Sequence, residues 1–317
     1  MKCLAMNCKD YLYTSEWEDI ESVKLQECSL FLYSCDMEER SSFCASNLNL
    51  NNPNSLFVQL EELRDDKFRD KNNPEETLSL SSIIMIKAFI SKFNRDSVYI
   101  DATGMSCRLL APFLKTALEM NLKVFVVYAE PKEYKISEFQ REGINKDLSE
   151  SVEGVYPLPG FVSLFPHDND ESLFVTFLGF EGGRMSYLIA NQQPPIDKIR
   201  PIIGIPGYKL NYPFESYWGN RRTLLKTKSW QNVEFADANS IVSAYLVLDK
   251  ISYDNNSPKM VIAPIGTKPH VIGAILYAIK HYKKVELLYD NPKRSLHRTE
   301  GIGKIQVCEV SKLISEN

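Results

Sequence analysis

Histidine is scarce in this chain: His167, His270, His281 and His297 are the four in 317 residues. No Gly-x-Ser-x-Gly elbow accompanies them, so a hydrolase triad has little support. The pattern Gly-x-x-x-x-Gly-Lys-Ser/Thr is absent as well, which excludes a P-loop. The seven cysteines, Cys3, Cys8, Cys28, Cys35, Cys44, Cys107 and Cys308, are odd in number and irregular in spacing. With no Cys-x-x-Cys pair, a structural zinc is not expected, and the thiols read as reduced. No run approaches the ~20 apolar residues that span a bilayer. The segment Met1–Asn7 carries no h-region, so a cytoplasmic location off the membrane is expected. Positive charge is not in excess: the formal net charge is −4, which gives no overall pull toward nucleic acid or an anionic membrane.

What is present is a globular composition. Hydrophobic residues make up 44% and charged residues 25%, enough for a core in each of two domains of ordinary size. Short apolar runs at 29–33 and 56–60 read as strands, and 65–76 as an exposed polar loop. A helix is predicted over 74–93 from its wide apolar face. Then Val98-Tyr99-Ile100 reads as a strand, Asp101 to Ser106 as a turn, Arg108–Met120 as a helix and Lys123–Tyr128 as a buried strand. Together they make a βαβ unit. Residues 130–172 read as a connection. Further strands are predicted at 173–178, 199–205, 233–235, 260–263, 285–289 and 305–310. Helices fall between them, one of them capped by Asp237.

The two halves repeat. Ile100-Asp101-Ala102-Thr103-Gly104 sets against Ile262-Ala263-Pro264-Ile265-Gly266, and one gap later Lys123-Val124 meets Lys284-Val285. Tyr128, Pro131 and Lys132 then meet Tyr289, Pro292 and Lys293, residues that βαβ geometry does not demand. Upstream, Arg40 and Arg184 each follow the first strand of their half. The expected fold class is therefore α/β, two related Rossmann-like halves with mostly parallel sheets and a pseudo-two-fold relation, divided as 1–150 and 151–317.

Ligands of open parallel sheets bind outside the carboxyl ends of the strands. Four turns qualify there, and each brings a cation: Ser34–Ser42 with Arg40, Asp101–Arg108 with Arg108, Gly179–Arg184 with Arg184, and Gly266–His270 with Lys268. Glycine admits close backbone approach, helix N-termini attract anions, and arginine forks suit phosphate. The candidate ligand-binding residues are Gly266, Thr267, Lys268, Arg184, Gly182, Gly104, Thr103, Arg108 and Arg40. Each has a plainer alternative. Thr267 with Pro269 makes an ordinary helix start, and Arg40 sits in a solvated Glu-Glu-Arg run. Asp101 and Glu181 are the candidate catalytic acids; Asp101 either acts as base or metal ligand or caps its own helix.

The turn Gly266-Thr267-Lys268-Pro269, between an apolar strand and the small-residue helix Val271-Ile272-Gly273-Ala274, resembles the Gly-Thr-Lys turn of CARF domains. SAVED proteins resemble two such units fused in one chain. The resemblance implies a Rossmann-like sensor of cyclic oligonucleotides in prokaryotic antiviral defence, acting on a separate effector protein. Asp-Ala-Thr-Gly stands where the first half would need its lysine, so any site is expected to be asymmetric. No metal site is expected. The only cofactor anticipated is a nucleotide or other phosphorylated ligand; Mg²⁺ enters only under the alternative of a phosphodiesterase or nucleotide-modifying enzyme using Asp101 and Glu181. A scaffold subunit with a vestigial cleft is the third reading.

Overall fold

The computed structural model describes residues 7–36, 38–135, 148–162, 172–256, 258–295 and 298–316. His167 and His297, Cys3 and, of the expected connection at 130–172, residues 136–147 and 163–171 lie outside the described residues. The chain divides into two compact units, one of residues 9–134 with 299–317 and one of residues 1–8 with 135–298. The division is thus not the expected 1–150 and 151–317, because the C-terminal strand returns to the first unit.

In the first unit the chain runs through β1 (Thr14–Trp17), β2 (Leu30–Tyr33), α1 (Phe43–Asn51), β3 (Leu56–Leu63), β4 (Lys67–Asp70), β5 (Asn73–Ser79), α2 (Ile83–Ser91), β6 (Ser97–Asp101), α3 (Cys107–Glu119) and β7 (Lys123–Tyr134). The second unit supplies β8 (Ser149–Val152), β9 (Tyr156–Pro157), β10 (Leu173–Phe177), α4 (Gly182–Gln192), β11 (Ile199–Gly204), α5 (Tyr212–Lys226), β12 (Glu234–Ala236), α6 (Ile241–Asp254), β13 (Met260–Pro264), α7 (Lys268–Lys280), β14 (Val285–Tyr289) and β15 (Pro292–Arg294). The last elements, β16 (Thr299–Glu309) and α8 (Val310–Glu316), rejoin the first unit.

Both units are α/β and Rossmann-like. In the first, β3, β2, β6 and β7 lie side by side and parallel. In the second, β11, β10, β13 and β14 repeat that order, again parallel. The central strands β6, β10, β13 and β14 are buried at every residue, which explains why they are mostly apolar, with Thr176 in β10 and Glu286 in β14 as the interior exceptions. Antiparallel strands close the edges: β4, β5, β16 and β1 in the first unit and β9 in the second. One face of the first sheet carries a ladder of rings, Phe57, Phe31, Tyr99 and Phe125, with centroids 4.7, 6.4 and 4.5 Å apart from strand to strand. They pack with Leu48 and Ala45 of α1 into one core cluster.

Three local expectations are corrected. Residues 67–79 form the β4–β5 hairpin, where a loop was expected. The helix expected over 74–93 is α2 alone, because Ser82 accepts a hydrogen bond from the Met85 N–H and starts the helix there. Asp237 does not cap α6; Ser240 does, accepting from the Ser243 N–H at 2.8 Å, while Asp237 accepts from Asn239 N–H.

The repeat extends to the caps. Helices α3 and α7 both have thirteen residues, and each starts from a hydroxyl that accepts the N–H three residues on: Ser106 from Leu109 and Thr267 from His270.

Candidate functional site

In each unit the connections leave β2 or β10 toward one edge of the sheet and β6 or β13 toward the other. Strand order therefore reverses between β10 and β13, which is where a crevice opens in such sheets. In the second unit the two turns beyond these strands meet. A Cβ on Gly179 would lie 3.1 Å from the Ile265 carbonyl oxygen and 3.9 Å from the Gly266 Cα, and one on Gly266 would lie 3.2 Å from the Leu178 carbonyl oxygen. Arg184 Nη1 donates to the Ile265 carbonyl at 3.1 Å and ties the start of α4 to the turn before α7. Two helix N-termini thus converge on a glycine-lined seam. Helix α4 has no side-chain cap, since its N-cap residue Glu181 makes no such bond, and the space where a Gly183 Cβ would stand is open. Gly266, Thr267 and Lys268 are half-buried, with Lys268 as the first residue of α7.

Thr267 is more occupied than the sequence suggests. Its hydroxyl donates to the Ala238 carbonyl at 2.6 Å while accepting from the His270 N–H. It locks the turn rather than offering itself to a ligand. His270 is fully buried, and its Nε2 lies 3.0 Å from the Asp237 carbonyl. Nε2 therefore carries the proton and Nδ1 presents a lone pair toward Gly266, 3.1 Å from the position of the missing Cβ. Burial pushes the His270 pKa down to about 4, so the ring is neutral.

The equivalent turn of the first unit is closed. A Cβ on Gly104 would fall 2.0 Å from the Ser34 carbonyl oxygen and 2.8 Å from the Ser41 Cβ. Thr103 is buried and its hydroxyl accepts from the Ala129 N–H at 3.0 Å. Asp101 is fully buried and accepts from the Thr103 N–H at 2.9 Å. It folds its own turn; the helix cap is Ser106. Gly104 and Thr103 thus serve the packing of this turn.

The arginines also have protein partners. Arg40 is buried, donates to the Ala129 carbonyl at 2.7 Å and to Glu38 at 3.1 Å, and lies over the Tyr128 ring at 5.7 Å. Arg184 is buried in a fork on Asp290, with Nε and Nη2 at 2.7 and 2.6 Å, and lies over the Tyr289 ring at 5.8 Å. Burial disfavours the Arg184 charge, but the bonds to Asp290 more than restore it and raise its pKa above the ordinary value. Arg40 and Arg184 thus act as internal bolts, one per unit, each resting on the tyrosine that the repeat aligns. Arg108 turns toward Asp66 and Glu62 on the β3–β4 side. Glu181 accepts from the Leu148 N–H at 3.0 Å and the Ser149 hydroxyl at 3.1 Å, which anchors β8. Among the described residues, no group of three or more His, Cys, Asp or Glu could hold a metal ion, and no helix is long and apolar enough to cross a membrane.

Sequence reasoning places Gly179 in a candidate turn but assigns Asp290 to a solvated surface, with the rim of the site as the alternative. Asp290 is instead fully buried. The available signal was its position directly after the fully apolar end of β14, one residue past the tyrosine that Arg184 covers.

No family model and no curated protein matches the chain. Among solved structures it is similar to a universal stress protein from Pseudomonas aeruginosa UCBPP-PA14, at 8% identity over 94% of this chain and 98% of that one, with a TM-score of 0.27. It is also similar to a precorrin-6A reductase, at 11% identity, 84% and 89% coverage and a TM-score of 0.23. A LacI-family regulatory protein from Chloroflexus aggregans gives 14% identity, 81% and 76% coverage and a TM-score of 0.24. Likenesses this slight carry no reading of function.

Proposed function

We propose that the second unit binds a phosphorylated small molecule, a nucleotide or cyclic oligonucleotide, and that the protein is a sensor or regulatory subunit of a prokaryotic defence system with a separate effector. The observation that carries this reading is the glycine-lined seam at the β10–β13 switch point, where the N-termini of α4 and α7 converge beside Lys268. Two helix dipoles and one ammonium group favour an anion there, and the open position at Gly183 lets it approach the α4 backbone. His270 stays neutral and, through the Asp237 carbonyl, holds the α7 turn. Asp101 and Glu181, on which catalysis would rest, hold backbone donors of their own units, so binding is favoured over turnover. The Gly-Thr-Lys turn that resembles CARF domains is what makes cyclic oligoadenylates the first ligands to test.

The test is thermal denaturation with a panel of nucleotides and cyclic oligoadenylates. A ligand present at a hundredfold excess over its Kd stabilises by about 2.7 kcal/mol, which shifts Tm by several degrees. Lys268→Ala and, separately, Gly183→Glu are expected to remove the shift. No shift with any member of the panel overturns the reading.

A further inference from the structure

Helix α5 leaves large apolar side chains on its outward side. The buried side presents Tyr212, Ser216, Asn220 and Leu224, and two of these bond backbone: Ser216 Oγ and Asn220 Nδ2 both donate to the Gly179 carbonyl, at 3.0 and 2.8 Å. The outward side presents Phe214, Trp218 and Leu225, exposed by 77%, 52% and 61%, with Leu210 just before the helix at 94%. A step of about 100° per residue places Phe214, Trp218, Arg221 and Leu225 within about 60° of one another, a ridge of about three turns. Arg221 is not a bystander: its guanidinium stacks on the Trp218 ring at 4.0 Å and donates to the Trp218 carbonyl at 3.0 Å. The stack holds the indole in one orientation before anything binds.

A ridge of Phe, Trp, Leu and Arg has the composition of a binding hot spot. Its charge selects the occupant. Residues 209–228 carry five cations, Lys209, Arg221, Arg222, Lys226 and Lys228, against the single carboxylate Glu215, while the whole chain carries −4. A second copy of this ridge would set five cations against five. An acidic partner gains at the five cations and is opposed by Glu215 alone. The aliphatic ends Leu210 and Leu225 offer a nucleobase no ring to stack on, but they fit the leucines of a helix laid along the ridge.

We propose that the outer face of α5 docks an acidic amphipathic helix of a partner protein. The partner's apolar stripe covers Phe214, Trp218 and Leu225, and its carboxylates face Arg221, Arg222 and Lys226. The inner face of the same helix walls the β10–α4 turn, where a Cβ on Gly182 would meet the Gly219 carbonyl at 1.9 Å. Partner docking and the seam therefore share one rigid element, though docking does not depend on the seam taking a ligand.

The experiment uses the full chain and a fluorescein-labelled synthetic peptide with leucines at i, i+3, i+4 and i+7 and glutamates elsewhere, read by anisotropy. The peptide is expected to bind saturably, and its counterpart with lysines for glutamates is not. Trp218→Ala is expected to weaken binding by about tenfold or more, and Arg222→Glu to weaken it without changing the melting temperature. The proposal is overturned by three results: no binding of the acidic peptide at millimolar concentration, equal binding to the Trp218→Ala protein, or saturation by phosphatidylserine vesicles or single-stranded oligothymidylate with no response to the peptide. Sedimentation of the free protein as a dimer that Trp218→Ala dissolves would assign the face to a second copy instead.

Discussion

At the scale of single residues, the two halves are the same machine with different fastenings. Arg40 ends on the Ala129 carbonyl and, through one nitrogen, on Glu38 two residues away, whereas Arg184 ends on the Ile265 carbonyl and, through two nitrogens, on the sequence-distant Asp290. Removing Arg184 leaves a buried carboxylate alone, so Arg184→Met is expected to cost about 3–5 kcal/mol in urea denaturation. The double variant Arg184→Met/Asp290→Leu should recover much of that loss, because a buried pair replaced whole is close to neutral. His270 makes a pH prediction. Its folded pKa lies near 4 and its unfolded value near 6.5, so the unfolded chain takes up the extra proton between these limits. Stability from this group is complete above pH 6.5 and falls as the pH drops toward 4. Between neutrality and pH 4.5 the loss is about 2–3 kcal/mol, and His270→Gln should remove that part of the acid sensitivity. Glycines divide by what surrounds them. Gly104→Ala meets a carbonyl and should destabilise, while Gly183→Ala enters open space inside a helix and should stabilise by up to about 1 kcal/mol. Sequence could mark both glycines, but not which had room.

At the scale of elements, what was legible was what burial dictates. The strands β2, β6, β10, β13 and β14 are mostly apolar because parallel strands are covered on both faces, and the sequence marks their ends to within a residue or two. The βαβ repeat was readable for the same reason. The β4–β5 hairpin was not, because its strand Asn73–Ser79 is largely exposed and carries proline and two glutamates, a composition that polar loops share. Helix caps were half legible. Thr267 was recognised as a cap from its neighbours, whereas Ser240 was passed over for Asp237, since both are good cap residues and the choice rests on backbone geometry. Replacing Ser106 or Thr267 by Ala should each cost about 1 kcal/mol, with the larger loss at Thr267, whose hydroxyl also holds Ala238. The seam between β10 and β13 follows from strand order, which no single segment displays.

At the scale of the whole molecule, residues 135–298 are inserted between β7 and β16 of the first unit. Strand β16 runs antiparallel between β1 and β7, with register from Thr299 opposite Tyr134 to Glu309 opposite Phe125. Sequence placed 299–317 with the half that precedes it, because pairing across 165 residues leaves no local trace. A chain stopped at residue 298 exposes one edge of β7 and leaves β1 unpaired. Limited proteolysis of that truncation should cut within residues 9–134 and spare 173–294.

Synthesis gives that connectivity a direction. A ribosome completes β8 to β15 before it has made residues 299–309, so the second unit has all its strands in hand while the first still waits for one. The inserted unit is the one that can settle first, and the enclosing unit must hold its apolar β7 edge uncovered through the making of about half the polypeptide. That interval, more than the equilibrium stability of either unit, is where a helper protein or a slow translation step would change the yield of folded chain.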